Sequence, residues 1–211
     1  MPSQKVVFDL DDFAIDKENS FDILKRIKEH YPKFKVSLFT VIYPESVDRG
    51  AIPQAKLAMW GKAVNKYDWI EICPHGLQHL QGEGEASRSL KEAKGYVQFT
   101  EDVFKKFGVN HEKIWKSPYW QANELLYIAL KEKDYAIALD RNNTPKVDLK
   151  SYVYNWSIDQ ELPKNVKVIK AHGHMDTTAN ALHLSYKNFM DKIDSDAEFM
   201  FISEYLKNEK T

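Results

Sequence analysis

The chain has a single cysteine, Cys73, in 211 residues. An internal disulfide framework and a cysteine-based zinc ribbon are therefore excluded, and any metal must rest on His and carboxylate ligands. No apolar run approaches the roughly 18 residues that a membrane-spanning helix needs. Met-Pro-Ser-Gln-Lys leads straight into Val-Val-Phe without the apolar segment and cleavage site of a signal peptide, which as written predicts a cytoplasmic protein, with release by lysis as one route to the exterior. Excess charge is missing too: Lys+Arg 30 against Asp+Glu 31 gives a formal net charge of -1, so nothing favours a nucleic-acid backbone or an anionic membrane as partner. Gly and Pro, eight of each, are too few for a collagenous or low-complexity chain. What remains is an ordinary globular composition, 43% hydrophobic, long enough for one domain over 1–211.

Periodicity divides the chain into alternating elements. Strands are predicted over 5–10, 35–42, 69–73, 113–116, 135–139, 152–158, 166–171 and 198–202. Helical spacing appears from a Ser20 cap to Pro32, over 53–64 with Gly61 as its weak point, over 90–107 with Gly108 as terminator, and over 123–133. A last helix is expected behind Ser185, with Tyr186, Phe189, Met190 and Ile193 inward. Seven or eight strands interleaved with helices call for a parallel β/α architecture.

Three constellations sit at predicted strand ends. Asp9, Asp11 and Asp12 place three carboxylates within four residues, which repel unless a cation or proton is shared. Alternation puts Asp9 and Asp11 on one side and Asp12 on the other for as long as the strand stays extended. His75 and His79, spaced i and i+4 around Gly76, converge on one cation if the segment turns helically. His172 and His174 follow an apolar run. Each has a plainer explanation in acidic loop starts, chance pairs among seven histidines, or hydrogen-bonded structural imidazoles. Their shared placement counts for more, because a β/α fold gathers the C-terminal ends of its strands on one rim.

In that order these motifs resemble the polysaccharide deacetylases of the NodB homology family. Asp9-Leu10-Asp11-Asp12 is similar to the family's T-F-D-D, His75 to His79 to its H-[ST]-x-x-H, and Lys116-Ser117-Pro118-Tyr119 to its R-x-P-[YF]. The strand beginning at Val36 and the ending Phe199-Met200-Phe201-Ile202 are also similar, so the resemblance spans nearly the whole chain. There are departures. Gly76 stands for Ser or Thr, Phe13 for a Gly, Lys116 for Arg, Trp120 where Gly is common, and Lys170 for an apolar residue. The fourth motif, D-x-x-D-W, is indistinct, with Asp140 or Asn155 as its occupant.

The resemblance implies an irregular (β/α) barrel, TIM-like, of about seven parallel strands. It also implies a hydrolase that removes N-acetyl groups from an amino sugar or glycan. Asp12, His75 and His79 would hold a divalent metal, Zn2+ foremost, and Asp11 would be the base. The Tyr119 backbone N–H would bind the oxyanion, Lys116 would hold Asp11, and His172, or else His174, would protonate the leaving amine. Of these two, His172 is preferred because Gly173 predicts a freer backbone beyond it. Trp120, Tyr119 and Trp156 would stack on sugar rings. Two alternatives stand beside this reading. One is a haloacid dehalogenase-like phosphatase with Asp9 as nucleophile and Asp11 as acid/base. The other is a deacetylase-like carbohydrate-binding protein without catalysis.

Overall fold

The structure, a computed structural model, describes residues 3–43, 52–142, 145–175 and 179–209, and for 18–20 and 179–185 the backbone alone. Its elements alternate as β1 (Lys5–Phe13), α1 (Glu18–His30), β2 (Val36–Thr40), α2 (Gln54–Val64), β3 (Ile70–Pro74), α3 (Leu90–Lys106), β4 (Ile114–Trp115) and α4 (Glu124–Glu132). They continue as β5 (Ala136–Leu139), β6 (Ser151–Val153), β7 (Trp156–Ser157), β8 (Val168–His174), α5 (Ala179–Lys192), β9 (Glu198–Met200) and α6 (Ile202–Asn208).

Strand β1 is the hub. Val6, Val7 and Phe8 are wholly buried, as befits a parallel strand covered on both faces. One edge of β1 pairs with β8 from Lys5 to Asp11, and the other is shared between β9, beside Lys5 to Val7, and β2, from Asp9 onward. Strand β3 extends this parallel sheet past β2, and β7 extends it past β8. A second parallel sheet runs β4-β5-β6. The Glu112 and Lys116 N–H groups donate to the carbonyls of Ile72 and Pro74 at 2.8 and 3.1 Å, joining the sheets at one seam. At the other, the chain crosses from β6 into β7 within a few residues. The expected strand over 152–158 is therefore two short strands in different sheets, and the described residues form nine parallel strands, two of them only two residues long.

Inward-facing positions change character along each strand. Val7, Phe39, Cys73, Ile114, Ala136 and Tyr152 fill the barrel, together with Ile202 and Leu206 of α6. Two residues further along the same strand faces stand Asp9, His75 and Lys116. Outside the barrel, Phe8 stacks on Phe189 at 4.4 Å, and Phe34 meets Phe199 edge-on.

Several boundaries differ from the sequence expectation. Helix α1 begins at Glu18, before Ser20, and α5 begins at Ala179, before Ser185; the side chains of both serines lie outside the described residues. Helix α6 was hidden because residues 198–202 read as one strand, whereas β9 ends at Met200 and Ile202 and Leu206 turn inward at helical spacing. Gly61 is a close-approach residue, since a Cβ there would lie 2.3 Å from the Phe107 carbonyl oxygen. Among the described residues no helix is long and apolar enough to cross a membrane.

Candidate active site

The three constellations meet at one rim of the barrel. The register of β1 slips between Leu10 and Phe13, and Asp12 takes a left-handed φ of 66°. That break in alternation turns Asp12 back toward the side Asp11 faces. His79 (φ 65°), Tyr119 (φ 53°) and Trp120 (φ 60°) are left-handed as well. Four of the six non-glycine residues with positive φ among the described residues therefore belong to this rim. Such strain persists where the surroundings impose it, and it concentrates at functional sites.

Asp12 Oδ1 lies 2.9 Å from His79 Nε2 and 3.4 Å from His75 Nε2, yet no N–H is aimed at it, and it is a buried oxygen without a hydrogen-bond partner. His75 Nδ1 sits 2.9 Å from the Lys116 carbonyl oxygen, so that nitrogen carries the proton and Nε2 presents a lone pair to the carboxylate. Two lone pairs facing each other at this range need a cation between them. Tetrahedral zinc with bonds of about 2.0–2.2 Å has donor–donor edges of about 3.3 Å, so the observed spacings fit one divalent ion. Electrostatics points the same way. Burial opposes ionisation of Asp12, but contacts from His174, His75 and His79 outweigh it and hold the carboxyl well below the usual range. Burial works against charge on His79 too, yet Asp12 raises it above an ordinary imidazole.

Beside this triad lies a second, fully buried network. Lys116 Nζ donates to Asp11 Oδ1 at 2.6 Å and Asp9 Oδ1 at 3.0 Å. Desolvation would depress Lys116, but the two carboxylates raise it above its ordinary value. His172 Nδ1 meets Asp9 Oδ1 at 2.8 Å, and the Tyr152 hydroxyl donates to Asp9 Oδ2 at 3.1 Å. Burial pushes Asp9 up, but Lys116 and His172 prevail and hold it at about 2. Asp11 Oδ2 is left facing His75 Nε2 at 4.0 Å and His172 Nε2 at 3.9 Å. Three carboxylates against one ammonium leave two negative charges at the rim, matching a divalent cation.

Some sequence expectations need correction. Asp9 is 0% exposed with both oxygens engaged, so it cannot reach a phosphoryl group, and the phosphatase reading fails. Trp156 is buried, stacks on Phe189 and donates to the Gln160 carbonyl, so it packs the core and does not face a sugar. Trp120 covers the Lys116 ammonium at 4.1 Å, which occupies one of its faces, whereas Tyr119 is 48% exposed above His79. Neither occupant considered for the fourth motif joins the network: Asp140 accepts from the Tyr154 hydroxyl, and Asn155 ties to the backbone of Val168 and Lys170. The carboxylate that joins Lys116 to His172 is that of Asp9. His174 is not on a freer backbone, because β8 runs through it. A Cβ at Gly173 would lie 2.7 Å from Ile158 Cδ1, so the glycine is there for packing.

Glu83 escaped the sequence reading. Its carboxylate accepts from the backbone N–H groups of Leu77 (2.6 Å), Gln78 (3.2 Å) and Leu80 (3.1 Å) and from the Tyr96 hydroxyl (2.7 Å). It thus pins the loop that carries His79, where Gly76 has no side chain to do so. The only signal was an acidic residue a few positions beyond the His pair. Glu83→Gln turns an amide N–H₂ toward backbone donors and is expected to weaken Co2+ binding by about 10- to 100-fold. Equilibrium dialysis checks this, and unchanged affinity would show that the loop holds its shape without Glu83.

No protein-family model matches the chain, and no curated protein matches it. Solved structures do. A peptidoglycan deacetylase, PdaC, from Bacillus subtilis superposes with a TM-score of 0.65 at 13% identity, covering 99% of this chain and 94% of the other. The chain has the polysaccharide deacetylase fold. A family 4 acetyl xylan esterase from Clostridium thermocellum, in complex with a cobalt ion, shares this deacetylase fold with a TM-score of 0.59 at 15% identity, covering 98% of this chain and 93% of the other. So does a mutant of BA3943, described as a carbohydrate esterase family 4 pseudoenzyme with restored enzymatic activity, with a TM-score of 0.61 at 13% identity over 97% of this chain and 68% of the other.

Proposed function

We propose that the chain is a metal-dependent hydrolase that removes the N-acetyl group from an amino sugar or glycan. One observation carries this: the Nε2 atoms of His75 and His79 converge on the buried, partnerless Oδ1 of Asp12, and Asp11 stands beside them with one oxygen free of Lys116. When bound, a divalent cation, proposed as zinc, supplies Lewis acidity toward a water and toward the acyl oxygen.

The chain's own residues do the rest. Asp11 Oδ2 accepts the proton of the attacking water, and Lys116 fixes Asp11 through Oδ1 so that this oxygen stays oriented. A Lys point charge serves here because the pair is already boxed in by Asp9, Phe39 and Trp120. The backbone N–H of Tyr119 is assigned to the oxyanion. His172 donates from Nε2 to the departing amine while Nδ1–H stays on Asp9, and Tyr152 steadies Asp9 in turn. Tyr119, outward and aromatic, is the ring for the sugar, with Trp120 as the wall behind it.

The test is acetate release from N-acetylated monosaccharides and oligosaccharides by the zinc-loaded chain, before and after chelation. Release that stops on chelation is expected. A chain that binds zinc and glycan but releases no acetate would be the non-catalytic protein instead. His172→Ala is expected to lower kcat by about 100- to 10,000-fold at unchanged zinc content, because proton donation is needed only in the transition state. A severe loss confined to His174→Ala would exchange the two roles.

A further inference from the structure

Asp11, His172 and His174 form a second group of donors, all within 4.8 Å of one another, adjoining the first, with Asp11 Oδ2 4.0 Å from His75 Nε2. In the neutral imidazole, before it takes up the proton it gives in catalysis, His172 keeps its N–H at Nδ1 toward Asp9, and its Nε2 then offers a lone pair 3.9 Å from Asp11 Oδ2. Lys116 engages the other oxygen of Asp11, leaving Oδ2 available. His174 comes to the same face because Gly173 lets β8 pass under Ile158 without losing alternation. Asp12 connects the two groups, with Oδ1 toward His75 and His79 and Oδ2 3.4 Å from His174 Nδ1.

We infer that this second group is a weaker divalent-cation site whose occupation inhibits the enzyme. The inference rests on Asp12, His75 and His79 being the first site. Two like charges a few ångströms apart repel, so the second ion binds less tightly than the first. Asp12 lessens that repulsion by lying between them, as carboxylates do in two-metal sites. Inhibition follows from donor identity. The second ion would take the lone pair of the base, Asp11, and the nitrogen from which the acid, His172, gives its proton. His174, nearly half exposed at the rim, would be the entry ligand.

The experiment is a Co2+ titration of the metal-free 211-residue chain by equilibrium dialysis, with visible spectra at each point. Two equivalents are expected, the second weaker. His174→Ala and His174→Gln should each keep the first equivalent, loosened by no more than the roughly 10-fold that losing an outer partner of Asp12 costs, and weaken the second by more than about 100-fold. His75→Ala should lose the tight equivalent. In the wild type, acetate release should fall as the second equivalent binds. A single equivalent at saturating Co2+, or a second equivalent that survives in both His174 variants, overturns this inference and leaves the proposed function standing. A rate that rises as the second equivalent binds overturns the inhibitory role. No bound Co2+ at all overturns both.

Discussion

Alanine at Asp12, His75 or His79 is expected to lower Zn2+ affinity by more than about 100-fold, leaving the dialysed protein without stoichiometric metal. Even groups that merely orient a ligand are worth about 10- to 100-fold, and each of these three is itself a donor. Among the described residues three donors converge at this position, so losing one leaves a two-donor site. The fold should tolerate the changes. His79 is on a loop pinned by Glu83, and Asp12 sits where β1 has already left regular pairing. His75→Ala leaves the Lys116 carbonyl without its imidazole donor, and that buried acceptor should cost about 1–3 kcal/mol in unfolding measurements. Wild-type metal content in all three variants, measured on folded protein, would move the metal elsewhere.

The alternation of strands and helices is legible because each buried element keeps one period long enough to register. Val6 to Leu10 and Ile70 to Cys73 are continuous apolar or buried runs, and α3 carries Ala93, Val97 and Phe104 inward. Legibility fails where an element is short or where strands change partners. Nothing in Tyr152 to Ile158 tells that Tyr154 and Asn155 cross from one sheet to the other, because both halves keep a strand-like composition. Ile202 and Leu206 make a single helical turn's worth of signal behind a β-rich segment.

At the site, residue types and strand-end placement were enough to bring Asp11, Asp12, His75, His79 and His172 into one group, to which the family resemblance added Lys116. The direction of each side chain was not accessible, since it depends on left-handed backbone at Asp12 and His79 that only tertiary packing imposes. Asp9 is the instructive case. Read along the chain it is a third carboxylate competing for a role, with a nucleophile's position in a D-x-D pattern. In three dimensions it is the buried partner of Lys116, His172 and Tyr152, residues more than a hundred positions away. Local pattern cannot register a pairing of that separation. Glu83 escaped for a related reason, because its partners are backbone N–H groups, which leave no mark on the sequence.

Asp11→Asn is expected to keep its metal and lose about 100- to 10,000-fold in kcat, the worth of a positioned general base. An amide keeps the shape of the carboxylate and can still accept from Lys116, so the pocket should hold, but it cannot take the proton of water at Oδ2. Metal content should stay near that of the wild type because Asp12, His75 and His79 are untouched. The companion variant separates chemistry from architecture. Asp9→Asn takes one of two countercharges from a wholly buried ammonium and leaves His172 and Tyr152 with a neutral partner. Breaking a buried pair on one side typically costs about 3–5 kcal/mol, and both variants do so at Lys116; Asp9→Asn also disturbs His172 and Tyr152, so its Tm should fall below that of Asp11→Asn. The carboxyl of Asp9 is held at about 2, below its ordinary value, so the stabilisation it contributes is present above the unfolded-state pKa and is lost as pH falls through the folded one. Wild-type Tm should therefore drop in that acid range more steeply than the Tm of Asp9→Asn. Turnover in Asp9→Asn should fall as well, through a His172 no longer fixed at Nδ1. Thermal melts, metal analysis and kcat on the two variants decide the matter: full turnover in Asp11→Asn would remove the base from the mechanism, and a wild-type Tm with abolished turnover in Asp9→Asn would give Asp9 a chemical task of its own.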